Sequence, residues 1–119
     1  MDPNGRTALI TGGTKGIGRG IAEAMVDVGM DVVVTARTEA DVRAAEEALS
    51  ARAGGRALGV VCDVRDLSQQ EAAVAATLEA FGRLDVLVAN AGVGRFGSVA
   101  DLDVDAWHEV IDTNLTGVF

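Results

Sequence analysis

The chain alternates between short unbroken apolar runs and longer stretches in which apolar residues recur every three or four positions. That alternation predicts strands buried on both faces, interleaved with amphipathic helices. The first run covers 7–11 and breaks into a glycine-rich turn. A helix follows over 16–28, with Ile17, Ile21, Ala24 and Val28 as its expected inner stripe and Gly29 as its stop. The β-branched run 31–36 reads as a second strand. Thr38 is placed to cap a helix from 39 to about 53, with Val42, Ala45 and Leu49 inward and Gly54-Gly55 ending it.

Residues 57–62 form a third strand by the same reasoning. A third helix starts at Asp66 or Ser68, the latter able to form a capping box with Glu71. Its expected inner face is Val74, Leu78 and Phe81, and Gly82 closes it. A fourth strand covers 84–89, a loop runs from Gly92 to about Asp103, and a last helix begins near Val104. Trp107, Val110, Ile111, Leu115 and Val118 make the stripe of that helix, and Asn114 falls inside it. The order β-α-β-α-β-α-β-α predicts one α/β domain over 1–119, a parallel sheet covered by helices on both faces. It amounts to the first half of a doubly wound fold, with the last helix uncapped and no further strand.

Composition adds exclusions. Hydrophobic residues are 49% and charged residues 24%, an ordinary globular balance. The net charge of −8 argues against nucleic acid or an anionic membrane surface as the main partner. No run is long enough for a membrane span and no signal-like stretch opens the chain, so a cytoplasmic location is expected. The one cysteine excludes an internal disulfide and a multi-cysteine metal site, and no metal is expected; Cys62 reads as a small buried hydrophobe. His108 lies just off the last helix's stripe and reads as surface or interface rather than catalytic. There is no tyrosine.

In sheets of this kind ligands bind beyond the carboxyl ends of the strands. At the end of the first strand stands Thr11-Gly12-Gly13-Thr14-Lys15-Gly16-Ile17-Gly18. Glycines there let the backbone approach a ligand closely, and the following helix aims free N–H groups at an anion. Strand two ends in Ala36-Arg37, with a cation where many dinucleotide folds place a ribose-binding carboxylate. Arg37 and Lys15 are either a grip for a 2′-phosphate or two solvated surface cations. Asp63 either accepts from an adenine amino group, with the Val64 N–H donating to the ring, or caps a turn. Asn90-Ala91-Gly92 either lets backbone lie against a sugar or forms a plain turn. Asn114, an amide within an apolar stripe, must be hydrogen-bonded. It stitches the helix to a loop, or it anchors a water or a catalytic side chain. Gly117 in the same helix points to close packing of another backbone.

Together these motifs resemble the classical short-chain dehydrogenase/reductase family over residues 7–119. Thr11 to Gly18 fits the family's Thr-Gly-x-x-x-Gly-x-Gly motif, Asp63 its adenine-site aspartate, and Asn90-Ala91-Gly92 the end of its Asn-Asn-Ala-Gly motif. Ala89 departs from that last motif in place of the first asparagine, and Asn114 fits the helix asparagine of the catalytic tetrad. The resemblance implies a Rossmann-type sheet of order 3-2-1-4. It also implies cofactor contacts from Gly12, Thr14, Lys15, Gly16, Ile17, Gly18, Arg37, Asp63, Val64, Asn90, Ala91 and Gly92, with Asn114 catalytic. Lys15 and Arg37 are like those of members that prefer NADP(H) over NAD(H). The activity implied is hydride transfer between nicotinamide and a small carbonyl or alcohol substrate, similar to the 3-oxoacyl reductases, in a homo-oligomer (dimer or tetramer). The family's serine and Tyr-x-x-x-Lys pair belong to a fifth strand and helix beyond Phe119. The chain alone is therefore expected to be inactive. The rival reading is an inert cofactor-binding fragment, or a half-domain completed by another chain.

Overall fold

A computed structural model describes residues 2–119; Met1, the first residue of the predicted domain, lies outside the described residues. Four strands form one parallel sheet in the order β3-β2-β1-β4. They are β1 (Thr7–Thr11), β2 (Asp31–Ala36), β3 (Ala57–Val61) and β4 (Val86–Val88). Helices α1 (Gly16–Asp27), α2 (Glu39–Ser50) and α3 (Leu67–Phe81) connect them. After β4 come α4 (Val104–Ile111) and a π-helical turn over Asp112–Thr116. The doubly wound half-fold expected from the apolar pattern is present.

Alternation along the central strands builds two cores. Ala8, Ile10, Val32 and Val34 pack with Ala22 and Val26 of α1 and with Ala45 and Leu49 of α2. On the other face Leu9 and Thr35 meet Ala73 of α3 around a small apolar cavity that Cys62 also lines. Every residue from Asp31 to Thr35 is buried, as a central parallel strand requires.

Two helices are turned about their axes from the expected phase. In α1 the buried residues are Gly18, Ala22 and Val26, while Ile17 is 79% exposed and Ala24 and Val28 also face solvent. The glycine turn sets this phase. A Cβ on residue 18 would run into the Gly12 carbonyl and the Asn90 amide, so the residue that faces the strand end must be glycine. In α3 the buried residues are Ala73 and Thr77, not Val74, Leu78 and Phe81. The Thr77 hydroxyl donates to the Ala73 carbonyl at 2.8 Å, so a polar residue sits on the inner face without an unpaired donor. Val74 and Leu78 stand partly exposed, and Val74 shares an apolar cavity with Leu87 of β4, which is exposed as well.

Of the two starts open for α3, Asp66 is the cap, accepting from the Ser68 and Gln69 N–H groups; its carboxylate also takes the Ser68 hydroxyl, so no box with Glu71 forms. Thr38 stands at the cap of α2 without a side-chain bond, and α2 ends at Ser50, short of residue 53. β4 is three residues long rather than six. Asp85 before it still donates its N–H to the Thr7 carbonyl, while its carboxylate accepts from the Thr7 N–H and from Arg6 and Arg83.

Candidate functional site

The carboxyl ends of β1, β2, β3 and β4 open on one cleft of about 250 Å³. Gly12, Thr14, Lys15, Arg37, Asp63, Val64, Asn90, Ala91 and Gly92 line it, together with Ala36, Thr38, Asp41, Cys62, Val93 and Thr113. Nine of the thirteen sequence-predicted site residues thus share one cavity. Gly16 and Ile17 stand exposed at the start of α1, Gly18 lies buried beneath the turn, and Asn114 sits next to the lining residue Thr113.

The turn after β1 is built for close approach. Gly12 has φ +65°, and a Cβ there would lie 2.9 Å from the Ala91 Cα. Gly16 has φ +59° with nothing within 4 Å of its Cβ position, so backbone is bare at the helix entrance. Lys15 occupies the cap position of α1 without a side-chain hydrogen bond to the first-turn amides, and these remain available to an anion. Asn90 holds the turn from behind, its Nδ2 donating to the carbonyls of Thr11 and Gly12, both at 3.1 Å. The Thr11 hydroxyl accepts from the N–H groups of Asn90 and Ala91. The strand ends of β1 and β4 are therefore locked together.

Charge in the cleft is divided. Lys15 and Arg37 join none of the ion pairs among the described residues. Asp63 is held below the ordinary carboxylate range, first by hydrogen bonds from the Arg65 guanidinium and further by the field of Arg37. It also accepts from the Arg65 N–H, the turn-capping geometry that was the plainer alternative. Three Arg65 N–H groups take up most of the acceptor capacity of the ionised carboxylate and leave room for one further donor. Burial pushes the Cys62 thiol up, so it stays protonated.

Asn114 lies in the π-helical turn and is exposed, contrary to a place in a buried stripe. It is fully stitched nonetheless. Its Oδ1 accepts from the Val93 N–H and its Nδ2 donates to the Val93 carbonyl, both at 2.8 Å. One N–H and one lone pair of the amide remain free for a water or a substrate-side group. Trp107, Leu115 and Val118 of the same stripe are also largely exposed. Gly117 does pack closely, against the Val64 side chain and the Thr113 carbonyl rather than a second segment's backbone.

The pattern reading missed Gln70, Thr113 and Arg65. Gln70 was legible as a polar residue three before Ala73 and seven before Thr77, on the face that turns inward. Arg65 carried no sequence signal beyond its nearness to Asp63.

The short chain dehydrogenase family profile matches residues 6–119. The chain is 37% identical to the 3-oxoacyl-[acyl-carrier-protein] reductase FabG of Vibrio harveyi, over all of this chain and 47% of that protein. A short chain dehydrogenase/reductase from Burkholderia phymatum, solved in complex with NAD, superposes with a TM-score of 0.94 at 36% identity, over 99% of this chain and 42% of that one. The actinorhodin polyketide ketoreductase solved with NADPH gives 0.91 at 44% identity, over 100% and 45%. The chain spans less than half the length of the curated relatives it matches.

Proposed function

The chain belongs to the short-chain dehydrogenase/reductase family, and from that premise we propose that it forms the dinucleotide-binding part of an NADP(H)-dependent carbonyl reductase of the 3-oxoacyl type. The observation that carries this reading is the pairing of a bare glycine turn with two cations, Lys15 and Arg37, that form no ion pair among the described residues, in a chain of net charge −8. The fit is chemical. A pyrophosphate suits the free first-turn amides of α1 beside Gly12, Thr14 and Gly16. A 2′-phosphate suits Arg37, because Ala36 leaves no carboxylate at the end of β2 to repel it. The ionised Asp63 suits an adenine amino donor, with the Val64 N–H beside it.

Bound nicotinamide supplies the hydride that reduces a carbonyl. The chain's own residues orient and bind. Asn90 and Thr11 fix the glycine turn against β4, so the strand ends cannot part when an anion is seated. Asn114 holds the Val93 backbone in both directions and keeps one donor and one acceptor for a proton-carrying water. None of the 119 residues is a tyrosine, so the family's acid–base group is not among them. A cytoplasmic homo-oligomer, dimer or tetramer, remains part of the proposal. No helix among the described residues is long and apolar enough to cross a membrane.

The test is consumption of NADPH with a 3-oxoacyl thioester, beside NADH and beside a substrate lacking the keto group. Turnover that needs the keto group and prefers NADPH is the expected result. A cofactor that binds without any carbonyl reduction in the full-length protein would establish the inert binding module instead.

A further inference from the structure

The last segment of the chain hangs from the body by few bonds. α4 makes its main contacts with its own π-helical continuation rather than with the sheet. Asn114 and Glu109 reach the loop after β4, through Val93 and Arg95. Among the described residues, one hydrogen bond joins this segment to α3 and the sheet: Gln70 Nε2 donates to the Gly117 carbonyl at 2.8 Å. The same nitrogen donates to the Val64 carbonyl at 2.6 Å. Both protons of the amide are thereby used, on two carbonyls 53 residues apart in the chain. Gly117 follows the π-helical turn directly, and a Cβ on it would lie 2.9 Å from Val64 Cγ2. Carbonyls at the end of such a turn have no partner within it, so a side-chain donor fixes where the turn ends.

We infer that Gln70 is a positioning residue that ties the adenosine side of the cleft, at Val64, to the turn carrying Asn114. The inference rests on the dinucleotide reading for its ligand but not for the clamp itself. A nucleotide seated at Asp63 and Val64 stiffens the β3 end. Through Gln70 the same stiffening reaches Gly117, and hence the register of Asn114 against Val93. Truncating the amide cuts that link and leaves the glycine turn, Arg37 and Asp63 untouched. Nucleotide affinity and the order of the last turn then become separable, as they would not be if Gln70 merely supported the fold.

Hydrogen exchange read by mass spectrometry on the full chain tests this, with adenosine 2′,5′-bisphosphate as the probe. In the wild type the probe slows exchange of the amides over 112–119. Gln70→Met keeps the side-chain length and removes both donors. Its unliganded exchange over 112–119 should rise about tenfold, with β1 and β2 unchanged, and the bound probe should no longer slow it. If that variant opens globally, Gln70→Glu replaces it, since an ionised carboxylate cannot donate to either carbonyl. Exchange over 112–119 that is the same in variant and wild type overturns the clamp. Equal slowing by the probe in both overturns the coupling. A wild type that binds no probe overturns the dinucleotide reading, and the clamp is then judged on the unliganded exchange alone.

Discussion

The side chains that matter most here are ones whose partners are unusual for their surroundings. Asp31 is buried at the start of β2 and accepts from the Arg56 N–H, Nε and Nη2. Arg56 hydrogen bonds hold its carboxyl below the ordinary value of 3.8. A lowered native pKa means the ion pair stabilises the fold fully above pH 3.8, and that the contribution is lost as pH falls through the native value. Asp31→Asn should therefore cost about 1–2 kcal/mol at neutral pH, with the gap to wild type closing in acid; melts across pH check both. Asn114→Ala removes two bonds to Val93. In the full-length protein it should cut carbonyl reduction strongly while NADPH affinity barely moves, since Asn114 is outside the residues that line the cleft. Steady-state kinetics beside a melt check this; a variant that melts early and keeps its rate would make the residue purely structural. Which residues meet at the strand ends was legible in the sequence where a motif marked them, as at Gly12, Arg37 and Asp63, which line one cleft. It was not legible where a partner lay far along the chain. The Gln70 and Gly117 contact is such a case, because no local pattern carries it.

At the scale of elements, existence and order followed from the apolar pattern, whereas helix phase did not. The stripe read for α1 put Ile17 inward, by weighing hydrophobicity alone. Close approach at Gly18 decided the rotation instead, and Ala22 and Val26 followed it into the core. In α3 the larger residues Val74 and Leu78 lost the inner face to Ala73 and Thr77, which let the helix lie close on the sheet. Gly18 and Gly20 of α1 turn this into a paired prediction. Gly18→Ala forces a Cβ against the Gly12 carbonyl and should destabilise by about 1–3 kcal/mol while weakening nucleotide binding. Gly20→Ala enters open space in the same helix and should stabilise by about 0.5–1 kcal/mol without touching affinity. Thermal melts with a cofactor titration on each variant decide it. A Gly18→Ala variant as stable and as tight as wild type would remove the glycine turn from control of the helix.

The whole molecule divides into a well-packed half around β1, β2 and β3 and a half whose apolar residues face outward. Leu87, Trp107, Leu115, Val118 and Phe119 are all more than half exposed. Burying a side chain of this kind contributes about 1.5–3 kcal/mol, and several together rival the stability of a domain. This 119-residue chain on its own is therefore expected to self-associate through that side and the free edge of β4, despite its net charge of −8. Light scattering over a concentration series would show it; a monodisperse, cooperatively melting monomer would contradict it. The central claim, however, concerns the cleft at the carboxyl ends of the strands, which the glycine turn and Arg37 are proposed to make phosphate-reading. It is tested most directly by titrating NADPH and NADH into the wild type and into Arg37→Ala. The account predicts tighter binding of NADPH, a roughly 10- to 100-fold loss of that affinity in the variant, and little change for NADH. Equal losses for the two cofactors, or no binding of either, would contradict it.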